Sequence, residues 1–325
     1  MIERIPITLL TGFLGSGKTT LLRHMLGSEA FAETAVLINE LGAVGLDHHL
    51  VRGASESLRV LENGCVCCTV RDELADVLAE LYWDRLHRRI PRFRQVVIET
   101  TGLADPAPLL RLLDGSGIAA ERYAWSRIVC TVAAVHGPDE PTRRPEALRQ
   151  IALADVVFIT KADLASRADI EEVEARVKAI NPAAARYAIA RGEAPVGAWQ
   201  AASTREHRAA FGVRTVETPT FTGRQLHASD VHTFTIELPR VARDRLVRAL
   251  IELGGRHRHA LLRVKGLVRV SDDRRLQVVQ GVAGELYPLQ PLDAAVDDVI
   301  SALVFIVTGD IEQAVRSELD AAVAG

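Results

Sequence analysis

Cysteine and methionine are scarce in this chain, four and two among 325 residues, and aromatic side chains make up 5% of it. So few thiols exclude a small secreted fold stapled by disulfides. Long apolar runs are missing as well. Even "SALVFIVTG" falls far short of the roughly 20 residues that cross a bilayer, so no membrane span is expected. No basic leader with an apolar stretch and a cleavage site precedes the strand-like "IPITLL", which predicts a cytoplasmic protein. A long basic run is also lacking, and 39 Lys and Arg against 42 Asp and Glu leave a net charge of −3. That balance offers no electrostatic footprint for nucleic acid or an anionic membrane. What is present is globular in composition, 48% hydrophobic and 25% charged. The length exceeds the ~250–300 residues at which one core stops growing, so two domains are expected.

The strongest pattern lies near the start. "ITLLTGFLGSGKTTLLRHML" reads as an apolar strand, a glycine-rich turn and a helix, with Gly12, four residues, then Gly17-Lys18-Thr19 in the spacing of a phosphate-binding loop. Gly12, Gly15 and Gly17 let backbone N–H groups turn inward around Ser16, the helix adds its positive end, and Lys18 adds a full charge. Thr19 is placed to ligate Mg²⁺, with Thr20 just behind it.

Two later strands end in acids. "FRQVVIETTGLADP" delivers Glu99 at a strand's carboxyl end, facing the same Mg²⁺, and Gly102 follows where an N–H can approach a γ-phosphate. "ADVVFITKADL" ends in Thr160-Lys161-Ala162-Asp163. Asp163 there accepts from guanine N1–H and N2–H₂, a donor pair adenine lacks, which selects GTP. Lys161 lays its stem along the base. Thr160 stands where Asn is usual.

Three of the four cysteines sit in "ENGCVCCTV". Adjacent Cys67 and Cys68 cannot bridge without strain, and C-x-C-C lacks the spacing of a dithiol redox site, so a borderline divalent ion such as Zn²⁺ is the better reading. In an extended stretch Cys65 and Cys67 face one side and Cys68 the other. Either the segment curls so that all three ligate, or two thiolates join an acid from the loop after "VLIN". Glu40 is the best candidate for that acid, with Asp47, His48 and His49 as further options. The set falls short of a closed four-ligand structural site, which suits a carrier that must let its ion go. Cys130, inside "RIVCTVAAV", reads as core.

"GFLGSGKTT", "NELG", "GCVCC", "ETTGLADP" and "TKADL", in this order, resemble the CobW-type family of P-loop GTPases, relatives of metallochaperones that serve hydrogenase and urease. The resemblance implies a GTPase that takes Zn²⁺ or Co²⁺ at Cys65, Cys67, Cys68 and Glu40 and passes it to a client metalloprotein. It also implies catalytic roles for Lys18, Thr19, Glu99 and Gly102, phosphate contacts from Gly12 to Thr20, and guanine contacts from Thr160, Lys161 and Asp163. One departure stands out: the family's strand usually ends Val-Asp-Ala, and here Ala133 occupies the acidic position. Two rival readings remain open at this point, a P-loop small-molecule kinase and a nonenzymatic regulatory module with structural zinc. A homodimer is compatible with the metal-carrier reading and with both rivals.

The fold class expected is α/β, a P-loop NTPase domain with a mostly parallel sheet over residues 1–198, then a linker over 199–230 and a smaller α+β domain over 231–325. In that last part "VHTFTIEL", "ALLRVKGLVRV", "RLQVVQGVAGELY" and "SALVFIVTG" read as strands, "ARDRLVRALIEL" and "DIEQAVRSELDAAV" as helices; His257 and His259 have the spacing of one strand face, where they could take a metal or a partner, but read better as a solvated basic turn.

Overall fold

The computed structural model describes residues 4–39, 58–61, 69–113, 116–136, 144–200, 231–292 and 301–324. Two compact units divide the chain, one formed by Met1–Pro138, Ala154–Glu174 and Arg186–Gln200, the other by Asp139–Leu153, Ala175–Ala185 and Ala201–Gly325.

The first unit is built on a seven-stranded sheet. Its strands are β1 Ile5–Gly12, β2 Thr34–Asn39, β3 Leu58–Leu61, β4 Gln95–Glu99, β5 Tyr123–Ala133, β6 Val156–Thr160 and β7 Ala185–Ala188, in the order β3-β2-β4-β1-β5-β6-β7. β1 runs parallel to β4 and β5, β2 parallel to β3 and β4, and β5 parallel to β6. Runs such as "VVI" and "VVFI" suit this, because strands of a parallel sheet are buried on both faces. Ile7, Leu9, Val97, Ile98 and Phe158 are accordingly fully buried. From β1 the chain crosses to β2 on one side, and β4 later crosses to β5 on the other. The direction of winding therefore changes at β1, and the crevice this opens lies at the strands' carboxyl ends. The helices α1 Lys18–Leu26 and α2 Thr69–Leu86 follow the phosphate loop and the cysteine segment.

The shorter helices α3 Pro106–Leu110 and α4 Ile118–Arg122 were not legible as periodic segments. α3 is set by its cap: Asp105 accepts from the Ala107 N–H at 3.0 Å, and Pro106 occupies the first turn.

The second unit carries an antiparallel sheet, β8 Val231–Glu237, β9 Leu261–Arg269, β10 Leu276–Val282, β11 Glu285–Leu286 and β13 Ala302–Thr308, ordered β11-β10-β9-β13-β8, with β12 Gln290–Pro291 on β10. Its core joins Val264, Val268, Leu303 and Phe305 of the strands to Leu246, Leu250, Leu253, Val315 and Leu319, the apolar stripes of Arg243–Arg256 and Glu312–Ala324. One expectation needs correction. "RLQVVQGVAGELY" is a hairpin, since Ala283 and Gly284 adopt positive φ and fold β11 back on β10. His257 and His259 agree with the basic-turn reading. They occupy the turn after the helix Arg243–Arg256, where His257 Nε2 meets Glu318 Oε1 at 3.2 Å.

β9 also places cations inside. Arg263 and Lys265 are buried, Arg263 donating to the Leu153 carbonyl and Lys265 Nζ to the Ala183 carbonyl at 3.4 Å. Asn181 Nδ2 donates to the Ile151 and Ala152 carbonyls at 2.8 and 3.1 Å. Arg263 and Asn181 thus satisfy carbonyls at the end of the helix Pro145–Leu153, while Lys265 serves a turn carbonyl.

Candidate nucleotide and metal site

β1 ends at Gly12, and its register partner on β5 is Thr131. Gly12, Gly15 and Gly17 all take positive φ, 142°, 69° and 90°. A Cβ on Gly12 would lie 2.4 Å from both the Thr131 carbonyl and its Oγ1, so this residue is required for space as well as for conformation. The loop closes on itself through the Ser16 N–H to the Phe13 carbonyl at 3.1 Å.

Lys18 folds into the loop. Its Nζ donates to the Gly12 carbonyl at 2.9 Å and the Phe13 carbonyl at 3.3 Å, and the side chain is buried. Burial pulls its pKa below the ordinary lysine value, opposed by the nearby Glu99 and Cys130. Thr19 Oγ1 donates to Glu99 Oε1 at 2.7 Å, and Glu99 is 4% exposed. A hydroxyl and a carboxylate oxygen held together at the start of a helix form a hard donor pair, the chemistry Mg²⁺ takes. Gly102 lies against the loop, since a Cβ there would come within 2.5 Å of the Leu14 nitrogen. Burial also pushes the Cys130 thiol up to about 12, which fits the core residue expected.

Thr160 is buried at the end of β6, and its Oγ1 donates to the Ser16 carbonyl at 2.6 Å. Its single proton thus goes to the phosphate loop. Lys161 adopts left-handed φ and turns the chain so that Asp163, 29% exposed at its side chain, stands 3.9 Å from the Arg191 guanidinium. The Ala162 N–H donates to the Ile189 carbonyl at 3.1 Å. Gly192, with φ 80°, packs on Thr20, whose carbonyl a Cβ would meet at 2.9 Å. Arg191 and Gly192 were missed in the sequence; a glycine two residues after a strand-like run was the available signal.

Thr100 and Thr131 were missed too. Thr100 Oγ1 donates to Thr11 Oγ1 at 3.0 Å, and Thr131 Oγ1 lies 2.6 Å from Ser16 Oγ. The signal was there, since "VIETT", "VCTV" and "FIT" all bring a threonine to a strand's carboxyl end. Ala133, in the position where an acid was expected, is buried and pairs in register with Thr160.

Glu40, Asp47, His48, His49, Cys65, Cys67 and Cys68 lie outside the described residues. Among the described residues no group of three or more His, Cys, Asp or Glu gathers to hold a metal ion. β2 and β3, which lead into Glu40 and the cysteine segment, are paired up to Asn39 and Leu61. No helix among the described residues is long and apolar enough to cross a membrane.

A parallel sheet with its phosphate loop at the switch point, a Thr–Glu pair beneath it and a T-K-x-D loop beside it define a P-loop GTPase. Residues 6–187 match the CobW/HypB/UreG nucleotide-binding domain and residues 231–323 the cobalamin synthesis protein cobW C-terminal domain, and the chain belongs to this family. It is 37% identical over 193 residues to the zinc chaperone YjiA of Escherichia coli, spanning 59% of this chain and 60% of that protein's length. It is 31% identical to the zinc chaperone CobW of Pseudomonas aeruginosa over 86% of this chain and 81% of that one. The crystal structure of Zn(II)-bound YjiA GTPase from E. coli superposes with a TM-score of 0.70 at 27% identity, covering 99% of both chains.

Proposed function

We propose that this protein is a GTP-hydrolysing metal carrier that takes Zn²⁺, or Co²⁺, as cargo at Cys65, Cys67 and Cys68 with Glu40 and hands it to a client metalloprotein. The observation that carries the reading is the pairing of Asn39 with Leu61 in a sheet whose next strand ends at Glu99. The segments holding Glu40 and the cysteines therefore leave the sheet from neighbouring positions, one strand from the carboxylate that faces the nucleotide. That supports a metal site whose ligands respond to the γ-phosphate. The names of the related zinc chaperones support zinc as the cargo.

In this reading the N–H groups of the Gly12–Thr20 loop hold the β- and γ-phosphates. Lys18 leaves the Gly12 and Phe13 carbonyls for phosphate oxygen. Thr19 and Glu99 would hold Mg²⁺, which would supply charge neutralisation at the β- and γ-phosphate oxygens. Gly102 directs its N–H to the γ-phosphate, and Asp163 with Lys161 selects guanine. Loss of the γ-phosphate frees the Gly102 segment and relaxes the neighbouring loops. Nucleotide and metal then couple reciprocally, by about 1–3 kcal/mol or roughly 5- to 150-fold in affinity.

The test is a competition titration of Zn²⁺ and Co²⁺ against the protein with GTP, with GDP and without nucleotide, repeated on Cys67→Ser. The expected result is a metal affinity that differs between the GTP and GDP states and drops in the variant. Equal affinities in all three states would remove the carrier mechanism.

A further inference from the structure

We infer that Thr131 is a positioning residue that sets the phosphate loop from below, through Ser16. The inference rests on the reading of Gly12–Thr20 as the phosphate cradle.

Thr131 is buried near the end of β5, one strand away from the loop, and both ends of the loop's tight turn rest on it. Its carbonyl and Oγ1 form the floor under Gly12, leaving no room for a Cβ. Its Oγ1 makes the 2.6 Å contact with Ser16 Oγ and lies 3.5 Å from the Thr11 carbonyl, to which it donates. Either hydroxyl can supply the proton of the short bond, and each is the other's nearest buried side-chain partner. The Ser16 carbonyl is held from the other side by Thr160. The peptide on which the loop turns is thus clamped between β5 and β6.

The clamp belongs to a longer buried set of hydroxyls and carbonyls: Thr100 Oγ1 donates to Thr11 Oγ1, Thr131 Oγ1 to the Thr11 carbonyl, the Thr131 and Ser16 hydroxyls meet, and Thr160 Oγ1 donates to the Ser16 carbonyl. It runs under the loop from the residue after Glu99 to the residue before Lys161. Ala133 lies two residues beyond Thr131, on the same face of β5 by strand alternation. With no carboxylate at that position, Thr131 is the polar side chain through which β5 grips the loop.

Thr131→Val removes the hydroxyl and keeps the shape, leaving the buried Ser16 hydroxyl short of a partner. The expected result is a rise of about tenfold in the KM for GTP and in the Kd for GDP, the scale of one buried hydrogen bond. kcat should change much less, and the ratio of kcat/KM for GTP over ITP should stay at the wild-type value, because ITP lacks only the 2-amino group read by Asp163. Thr131→Ser should restore GDP affinity to within about twofold. A merely destabilised protein would show fewer active molecules, lowering kcat at constant KM, and that outcome overturns the proposal. So does a changed GTP/ITP ratio. Should Thr131→Val fail to fold, Ser16→Ala breaks the same bond from the loop side, and unchanged GDP affinity there refutes the role. Wild-type protein that binds no GDP would instead sink the phosphate-cradle reading beneath it.

Discussion

At Gly12 two physical demands coincide, a φ of 142° and a floor 2.4 Å from where a Cβ would be. Gly12→Ala should therefore cost about 2–4 kcal/mol, combining left-handed backbone strain with overpacking, and abolish GDP binding by calorimetry. Lys18 raises a proton question. Its pKa is lowered in the folded protein, so in the alkaline window between its folded and unfolded values the unfolded chain binds more protons and stability rises with pH through it. A phosphate beside it reverses the shift. GDP binding at alkaline pH should take up protons, read as a buffer-dependent calorimetric enthalpy, and Lys18→Ala should abolish the uptake. In the proposed reading Asp163 selects the base. Asp163→Asn replaces an acceptor with a donor and should turn the preference from GTP toward XTP by at least about tenfold in kcat/KM, since a polar site left unpaired discriminates strongly.

At the scale of elements, the parallel strands announced themselves through unbroken apolar runs, and β1 with its loop and helix could be read down to the residue. β9 obeys a different rule. "LLRVKGLVR" looks like a strand with a wet face, yet Arg263 and Lys265 are buried because each meets backbone carbonyls that a helix end and a turn leave over. Arg263→Met keeps the bulk and removes the donor; it should destabilise the protein by about 1–3 kcal/mol in urea titration, the price of a buried unsatisfied carbonyl. The hairpin between β10 and β11 was misread for a related reason. "GVAGE" has no Asn-Gly or Asp-Gly signature, and the positive φ at Ala283 is tolerated only within the fold.

For the whole molecule, a nucleotide that binds only the native state stabilises by mass action. At about 100 times its Kd, GDP should add about 2.7 kcal/mol, seen as a raised transition in scanning calorimetry and lost in Lys18→Ala. The sequence alone determined the α/β class and the family, and it carried the motifs read as the phosphate and guanine loops. Those depend on residues close together in the chain, where spacing carries the geometry. Only the tertiary structure decided that Thr160 serves the phosphate loop, that Thr100 and Thr131 lie beneath it, that Arg191 faces Asp163, and that residues 139–153 and 175–185 group with the C-terminal sheet. Each of these joins positions far apart in the chain, and a hydroxyl has no partner in a sequence until strand order and register bring one within 3 Å.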